Sequence, residues 1–430
     1  MSNPRKLAVK ALLKIEKDNA YSNITLNAFL KEAEFTKEDK AFFTSLVYGV
    51  LDRKITLDYV LSKFMKSPLK KTAPFTLNAL RVGLYQIMYM DKVPDSAAVN
   101  ETVKIIKSSK EGRNAGFVNA VLRSALREKI TLPEGNTPKD LSVRFSCPEW
   151  IVNGFINDYG LENAVKLLEE SLSAPPVTLR VNTVKISTEE LIEKLGEKGI
   201  DTLKGDISDS LIIEKGIDIS SNELYKYGLF YVQDYASQKA VSVLAPKANS
   251  RVLDLCAAPG GKSFTMALLM ENKGEIISCD LYEARVGLIE NSAKRLGLDI
   301  IKPTVNDATV YNENLCEFDY ILCDVPCSGL GVIRRKPELK YKTESDFKEL
   351  ESIQYSILCN AVKYLKKGGK LLYSTCTLRQ AENEKLVIRV QKEYNELHKV
   401  YEHTFMPHID NTDGFYCALF EKGEVTPCKR

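Results

Sequence analysis

The sequence predicts a multidomain chain: an all-α helical bundle, a small α/β (α+β) linker domain, and an open, mostly parallel α/β domain. Three observations carry this. A length of 430 residues exceeds what one ordinary core organises. Apolar residues recur at helical spacing through residues 1–128, and a mixed pattern follows over 129–235. Over 236–430, short apolar runs that end on acids alternate with helical stretches.

Composition narrows the class. Hydrophobic residues make up 44% and charged residues 27%, the balance of a chain with real cores, and the net charge is only +3. That excludes a polycation and an acidic solvating chain. The total hides a segregation. Residues 1–128 carry 22 Lys/Arg against 13 Asp/Glu (+9), 129–235 carry 11 against 18 (−7), and the rest 27 against 26 (+1). No apolar run reaches the about 18 residues of a membrane helix. The start, Met-Ser-Asn-Pro-Arg-Lys-Leu-Ala, has no signal-cleavage pattern, so a cytoplasmic location without membrane attachment is expected. Of ten cysteines only Cys147 precedes residue 250, which argues against a disulfide scaffold. Cys323 and Cys327 have no second pair at metal-site spacing, and His398, His403 and His408 recur every five residues, so no metal is expected.

The elements follow in order. Leu7, Ala8, Ala11, Leu12 and Ile15 form one helical stripe; Phe42, Phe43, Leu46, Val47, Val50 and Leu51 form a second. Thr36 precedes Asp39 by three residues, a capping pattern with Asp in place of Glu. Leu77, Leu80, Leu84, Ile87 and Met88 give a third stripe, Val99, Val103 and Ile106 a fourth, and Val118, Val121, Leu122 and Ala125 a fifth. Short polar breaks between them make a bundle, and the stripes read as core. Pro133, Gly135 and Pro138 mark a break. Helices are expected over 150–158 and 162–172, a strand over 177–181 and a helix over 188–196. Further on, strands are expected over 251–256, 274–280, 318–324 and 370–375, with a helix over 349–367 closed by Gly368-Gly369. Chemistry-bearing residues therefore fall at the carboxyl ends of strands, where open parallel sheets bind ligands; the domain is Rossmann-like.

Asp254-Leu255-Cys256-Ala257-Ala258-Pro259-Gly260-Gly261-Lys262-Ser263 lies between a strand and a helix. Small residues let backbone approach a ligand, and the helix start offers free N–H groups. Asp280 follows Gly261 by 19 residues, the spacing at which a second-strand carboxylate grips ribose hydroxyls. The loop is neither a dinucleotide fingerprint nor a Walker A loop, whose upstream glycine is here Cys256. An adenosine-type cofactor is expected.

Asp324-Val325-Pro326-Cys327-Ser328-Gly329 and Ser374-Thr375-Cys376-Thr377 each place a cysteine just past a buried strand. A thiol of pKa about 8.5 is a strong nucleophile through its thiolate. Cys279, Cys323 and Cys359 read as core.

Cys256–Lys262, Asp324–Gly331 and Tyr373–Leu378 resemble three motifs of the RNA cytosine-C5 methyltransferases that use S-adenosylmethionine. The likeness extends to Arg334-Arg335-Lys336-Pro337, Val232-Gln233-Asp234 and Asp413-Gly414-Phe415-Tyr416. Residues 1–128, including Phe117-Val118-Asn119-Ala120-Val121-Leu122, resemble the NusB-like RNA-binding fold, and the domain order resembles the bacterial enzymes acting on 16S ribosomal RNA. Val325, Leu330 and Thr377 replace a usual alanine, threonine and serine.

The resemblance implies a class I methyltransferase domain with these roles. Cys376 attacks C6 of the cytosine, Asp324 hydrogen-bonds its N3 and amino edge, and Cys327 assists release of the methylated base. Cys256, Ala257, Ala258, Pro259, Gly260, Gly261 and Lys262, with Asp280, Asp307 and Asp324, hold S-adenosylmethionine. Spacing alone leaves Cys327 open as the attacker, since DNA cytosine methyltransferases use a Pro-Cys thiol. Unstacking the base costs a few kcal/mol. Arg5 and Lys6 in the basic segment, and Arg334 and Arg335 after the Cys327 loop, are the candidate RNA contacts, with Lys70, Lys71 and Arg113 behind them. The expected protein is a monomeric 16S rRNA (cytosine-C5) methyltransferase. The competing readings are an RNA-binding or antitermination-type factor with a scaffolding methyltransferase domain, and a transfer-RNA cytosine-C5 methyltransferase.

Overall fold

The structure is a computed structural model that describes residues 2–18, 20–128, 130–213, 219 and 221–423. The chain divides into two compact units: Met1–Ser173 with Ile333–Lys342, and Ala174–Val332 with Thr343–Arg430.

The first unit is helical. Its helices run over Pro4–Asp18, Ser22–Glu32, Lys37–Phe64, Pro74–Tyr89, Asp95–Lys107 and Ala115–Arg127, then Pro138–Phe145 and Glu149–Glu170. The predicted stripes meet in one core: Ala8, Leu12, Leu46, Val47, Leu80, Leu84, Val118 and Leu122 are buried together. Leu77, Ile87 and Met88 pack at its margin. Thr36 caps the longest helix by accepting from the Asp39 N–H. Gly160, at φ 77°, breaks Glu149–Glu170 at the point where two separate helices were expected.

A charged cluster sits within this core. Arg81, only 5% exposed, donates through Nε and one terminal nitrogen to both Asp58 oxygens at 2.7 Å, and through the other to Glu16 Oε1 at 2.8 Å. Burial opposes the Arg81 charge, but Asp58 and Glu16 outweigh it and raise the pKa. Removing one partner of such a group strands the others in a poorly solvated place. Arg81→Met is therefore expected to cost the helical unit about 3–5 kcal/mol, read as a lowered denaturant midpoint at unchanged slope.

The segment Ile333–Lys342 packs with this unit although its sequence follows the Cys327 loop. Ser22 Oγ donates to Glu338 at 2.7 Å, and the Tyr341 hydroxyl donates to the Leu51 carbonyl. Lys340 is fully buried with Asp52 at 3.6 Å, and burial pushes the Asp52 carboxyl up to about 6.

The second unit holds two sheets. The smaller has four strands, β1 (Val177–Val181), β2 (Thr202–Lys204), β3 (Ser210–Ile213) and β4 (Phe230–Val232), in the order β2-β3-β1-β4, antiparallel throughout. The helix Thr188–Glu197, closed by a Ser187/Glu190 capping box, covers it with Leu191 and Leu195 against Leu179, Val181 and Phe230.

The larger sheet has seven strands: β5 (Ser250–Asp254), β6 (Gly274–Asp280), β7 (Ile301–Val305), β8 (Phe318–Asp324), β9 (Leu365–Thr375), β10 (Leu397–Phe405) and β11 (Phe415–Lys422). Their order is β10-β11-β9-β8-β5-β6-β7. β7 through β9 pair in parallel, and β11 is antiparallel to both neighbours. The direction of strand crossover reverses between β5 and β8, so the crevice opens beyond the carboxyl ends of these two strands. The helix expected over 349–367 ends earlier: Leu350–Tyr364 is helical, and β9 already begins at Leu365. The ladder with β8 shifts register after Leu365, so Gly368-Gly369 form an irregularity inside the strand rather than a helix stop.

Candidate functional site

The crevice collects the predicted residues. Asp254 ends β5, Asp280 ends β6 and Asp324 ends β8, while Cys376 follows directly on β9. The loop after Asp254 enters the helix Gly261–Leu269 through Gly260, at φ 111°. A side chain there would also strike the Phe264 ring, at 2.2 Å, so only glycine serves.

Lys262 crosses the crevice to Asp324. Its Nζ donates to Oδ2 at 2.7 Å, and Ser374 Oγ donates to Oδ1 at 2.9 Å, so both carboxylate oxygens are oriented. The Lys262 ammonium also lies 5.1 Å from the centre of the Phe415 ring. Burial opposes its charge, yet Asp324, Cys376 and Asp254 together raise its pKa. Lys262 thus stays cationic.

The two sulfur atoms stand 3.3 Å apart. The Cys327 pKa is driven well above the usual thiol range, first by its hydrogen bond with Cys376, then by burial, and further by the Cys376 and Glu382 charges. Cys327 therefore keeps its proton, while the Lys262 charge acts on Cys376. The loops that carry the thiols are tied together. The Val325 N–H donates to Ser374 O, the Gly331 N–H donates to Cys376 O, and the Gly414 N–H donates to Gly331 O. A Cβ on Gly331 would lie 2.0 Å from the Gly414 carbonyl, so the close approach of these loops requires glycine.

The cofactor set divides. Cys256 lies in the turn directly after β5, with its thiol pKa raised mainly by burial. Asp280 is 3% exposed; it accepts from the Tyr282 N–H and has Arg285 at 3.3 Å. Asp307, past β7, is exposed and accepts from the Thr309 N–H and hydroxyl. These residues fit an adenosyl group bearing an amino-acid tail. Carboxylates stand at successive strand ends, a helix N-terminus opens onto the crevice, and Leu281, Tyr282 and Val310, which follow Asp280 and Asp307 in the chain, are exposed.

Asp254 is fully buried; Oδ2 accepts from Ser263 Oγ at 2.7 Å and Oδ1 has no hydrogen-bond partner. Burial, helped by Asp324 and opposed by Ser263, pushes its carboxyl up to about 7. An unfolded chain releases this proton near pH ~3.9. The folded state binds it more tightly, so this group's contribution to stability is present below pH 4 and lost as pH rises through 7. Asp254→Asn is expected to flatten that decline, seen as a shallower fall of Tm between pH 4 and 7.

The RNA candidates are placed differently from one another. Arg5 donates from Nε to Gln86 Oε1 at 2.7 Å and stacks 4.7 Å over Phe42; burial lowers its pKa. Lys6 is half-buried on the same helix, while Lys10, Lys14 and Lys17 are exposed. The Arg334 side chain is 7% exposed, with Glu170 at 3.7 Å and Ser173 at 3.3 Å. Arg335 is half-buried. Lys70, Lys71 and Arg113 are exposed.

Sequence reasoning missed four site residues: the Asp324 partner Ser374, and Gln354, Arg379 and Glu382 behind the Cys327 loop. Glu382 stands six residues past Cys376, one acid among 57, and no periodicity distinguishes it.

Comparison with known proteins agrees with this geometry. Residues 241–421 match the family 16S rRNA methyltransferase RsmB/F, residues 2–127 match the NusB family, and residues 147–220 match the ferredoxin-like domain of RsmF/B-like methyltransferases. A probable ribosomal RNA small subunit methyltransferase B of Bacillus subtilis (strain 168) is 40% identical over 97% of this chain and 99% of its own. The ribosomal RNA small subunit methyltransferase B of Proteus mirabilis (strain HI4320) is 31% identical over 98% and 99%. Among solved structures, that of PH0851 superposes with a TM-score of 0.84 at 26% identity, covering 98% of this chain and 99% of that one.

Proposed function

The chain belongs to the 16S rRNA methyltransferase RsmB/F family, and from that premise we propose how its residues carry out the reaction. Full-length homology makes it a 16S rRNA cytosine-C5 methyltransferase of the RsmB kind. The observation that carries the assignment of roles is the sulfur pair at 3.3 Å with unlike surroundings: the Lys262 cation acts on Cys376, and the Glu382 anion acts on Cys327.

A cation beside a thiol favours the thiolate, so Cys376 is the nucleophile. It bonds to C6 of an extruded cytosine, and the electron pair of the C5–C6 double bond becomes available at C5. Asp324, held by Lys262 and Ser374, faces the N3 and amino edge and favours the charge that develops there. S-adenosylmethionine, when bound, supplies the methyl group as an electrophile on a sulfonium; the loop Cys256–Lys262 with Asp280 and Asp307 would hold it. For release, Cys327 passes its proton to the departing Cys376 sulfur and takes the C5 proton. The C5–H pair re-forms the C5–C6 double bond as the C6–S bond breaks. Protons and electrons balance, and Cys327 returns to its thiol form.

We further propose that the domains meet near residues 128 and 235, that the basic helical segment contacts RNA phosphate, and that the protein acts as a monomer in the cytoplasm. Among the described residues, no helix is long and apolar enough to cross a membrane. Bisulfite sequencing of 16S rRNA with and without the protein tests the reading. One cytosine is expected to lose protection in its absence; an unchanged 16S pattern contradicts it.

A further inference from the structure

Glu382 is fully buried, which is costly for a carboxylate unless hydrogen bonds repay it. Here they do. Oε2 accepts from the Ser328 N–H at 2.9 Å and from Gln354 Nε2 at 2.9 Å. Oε1 accepts from Ser328 Oγ at 2.6 Å and from Arg379 at 3.2 Å. The same Gln354 nitrogen donates to the Pro326 carbonyl at 2.9 Å. Cys327 therefore sits between two gripped residues: Pro326 held by Gln354, and Ser328 held by Glu382. Ser328 Oγ also lies 2.7 Å from Thr377 Oγ1, next to Cys376, so the grip spans both cysteine loops.

The Glu382 main chain is fixed from behind. The Tyr373 hydroxyl donates to the Glu382 carbonyl at 2.7 Å, and Tyr373 belongs to β9, the strand that delivers Cys376. The strand that sets the position of Cys376 thus also sets the residue that holds the Cys327 loop.

We propose that Glu382 is a positioning residue for this reaction: together with Gln354 it clamps the peptide on both sides of Cys327 and holds that thiol against Cys376. The clamp rests on the reading that Cys376 attacks and Cys327 assists release. Its direct arms hold the residues on either side of Cys327 and reach the Cys376 loop only through Ser328 and Thr377, so its loss slows release far more than attack. A thiol displaced by even about 1 Å loses the short contact that proton transfer needs.

Two variants and two readouts test this. Glu382→Gln keeps the size but turns one acceptor into a donor facing donors. Gln354→Leu cuts the other arm and leaves the carboxylate in place. The first readout is covalent protein–RNA adduct in single turnover on 16S rRNA with S-adenosylmethionine. Both variants are expected to form adduct within about twofold of the parent rate and to resolve it at least tenfold more slowly, so that adduct accumulates. The second uses no RNA: iodoacetamide labelling of each cysteine, followed by mass spectrometry. Cys327 is expected to label several-fold faster in both variants, with Cys376 unchanged. Formation and resolution falling in equal proportion, or both cysteines changing reactivity together, would mark Glu382 as merely structural and overturn the proposal. Absence of adduct even from Cys327→Ala would overturn the assignment of roles instead, and the labelling ratio would still decide whether the clamp exists.

Discussion

Cys376→Ala is expected to abolish methyl transfer, by about 10⁴-fold or more, and to leave no protein linked to RNA. Cys327→Ala, one residue type changed 3.3 Å away, is expected to do something different: accumulate the linked species. The asymmetry follows from surroundings rather than chain position. Cys376 lies within the field of the Lys262 cation, which on the proposed assignment favours attack through its sulfur. Cys327 shares a hydrogen bond with Cys376, is buried and feels the Glu382 charge, all of which raise its pKa, so its proton stays. On the proposed assignment, an enzyme without Cys376 has no nucleophile, and an enzyme without Cys327 attacks and methylates, then lacks the group that carries the C5 proton to the leaving sulfur. Denaturing gels of enzyme mixed with labelled 16S rRNA distinguish the two, and the reverse pattern would exchange the roles.

Lys262→Met is expected to be nearly as severe and to act on two observables at once. It removes the cation from a pair that is 14% and 27% exposed and leaves Asp324 near Asp254 without compensation. Breaking such a pair costs about 3 kcal/mol, the lower end for buried ion pairs because Asp324 retains some solvent. Catalysis falls separately. Asp324 loses one of its two orienting donors, and Cys376 loses the charge that favours its thiolate. A loss of about 10²–10³ in single-turnover rate is expected, comparable to removal of one preorganised electrostatic group. Cys376 labelling by iodoacetamide should also require higher pH in this variant. A stability loss without a rate loss in the folded fraction would confine Lys262 to a structural role.

Much of the catalytic crevice was legible because its chemistry sits where chain pattern is strongest. A buried strand, a glycine loop and a helix start are local features, and the acids at 254, 280 and 324 close apolar runs that define their own ends. Strand topology then brings distant ends together, and the two cysteine loops are adjacent because β8 and β9 pair in parallel. What sequence did not reveal depends on tertiary partners. Arg81 interrupts an apolar stripe and is buried all the same, because Glu16 and Asp58 arrive from two other helices. Arg334 lies in a basic run that suggests solvent and phosphate, yet Glu170 and Ser173 enclose it. Glu382 has no periodic signature at all; its burial is paid for by donors 28 and 54 residues away. Gly368-Gly369 illustrate the opposite error, where a familiar helix stop turns out to lie within β9.

The most direct test uses the unaltered protein. A 16S rRNA fragment carrying 5-fluorocytosine at the target position cannot lose its C5 substituent as a proton, so the enzyme stalls after methyl transfer with the base still attached. Proteolysis and mass spectrometry of the trapped species then identify the linked residue. The assignment predicts a modified pyrimidine on the peptide containing Cys376, with Cys327 unmodified; a pyrimidine on Cys327 would contradict it.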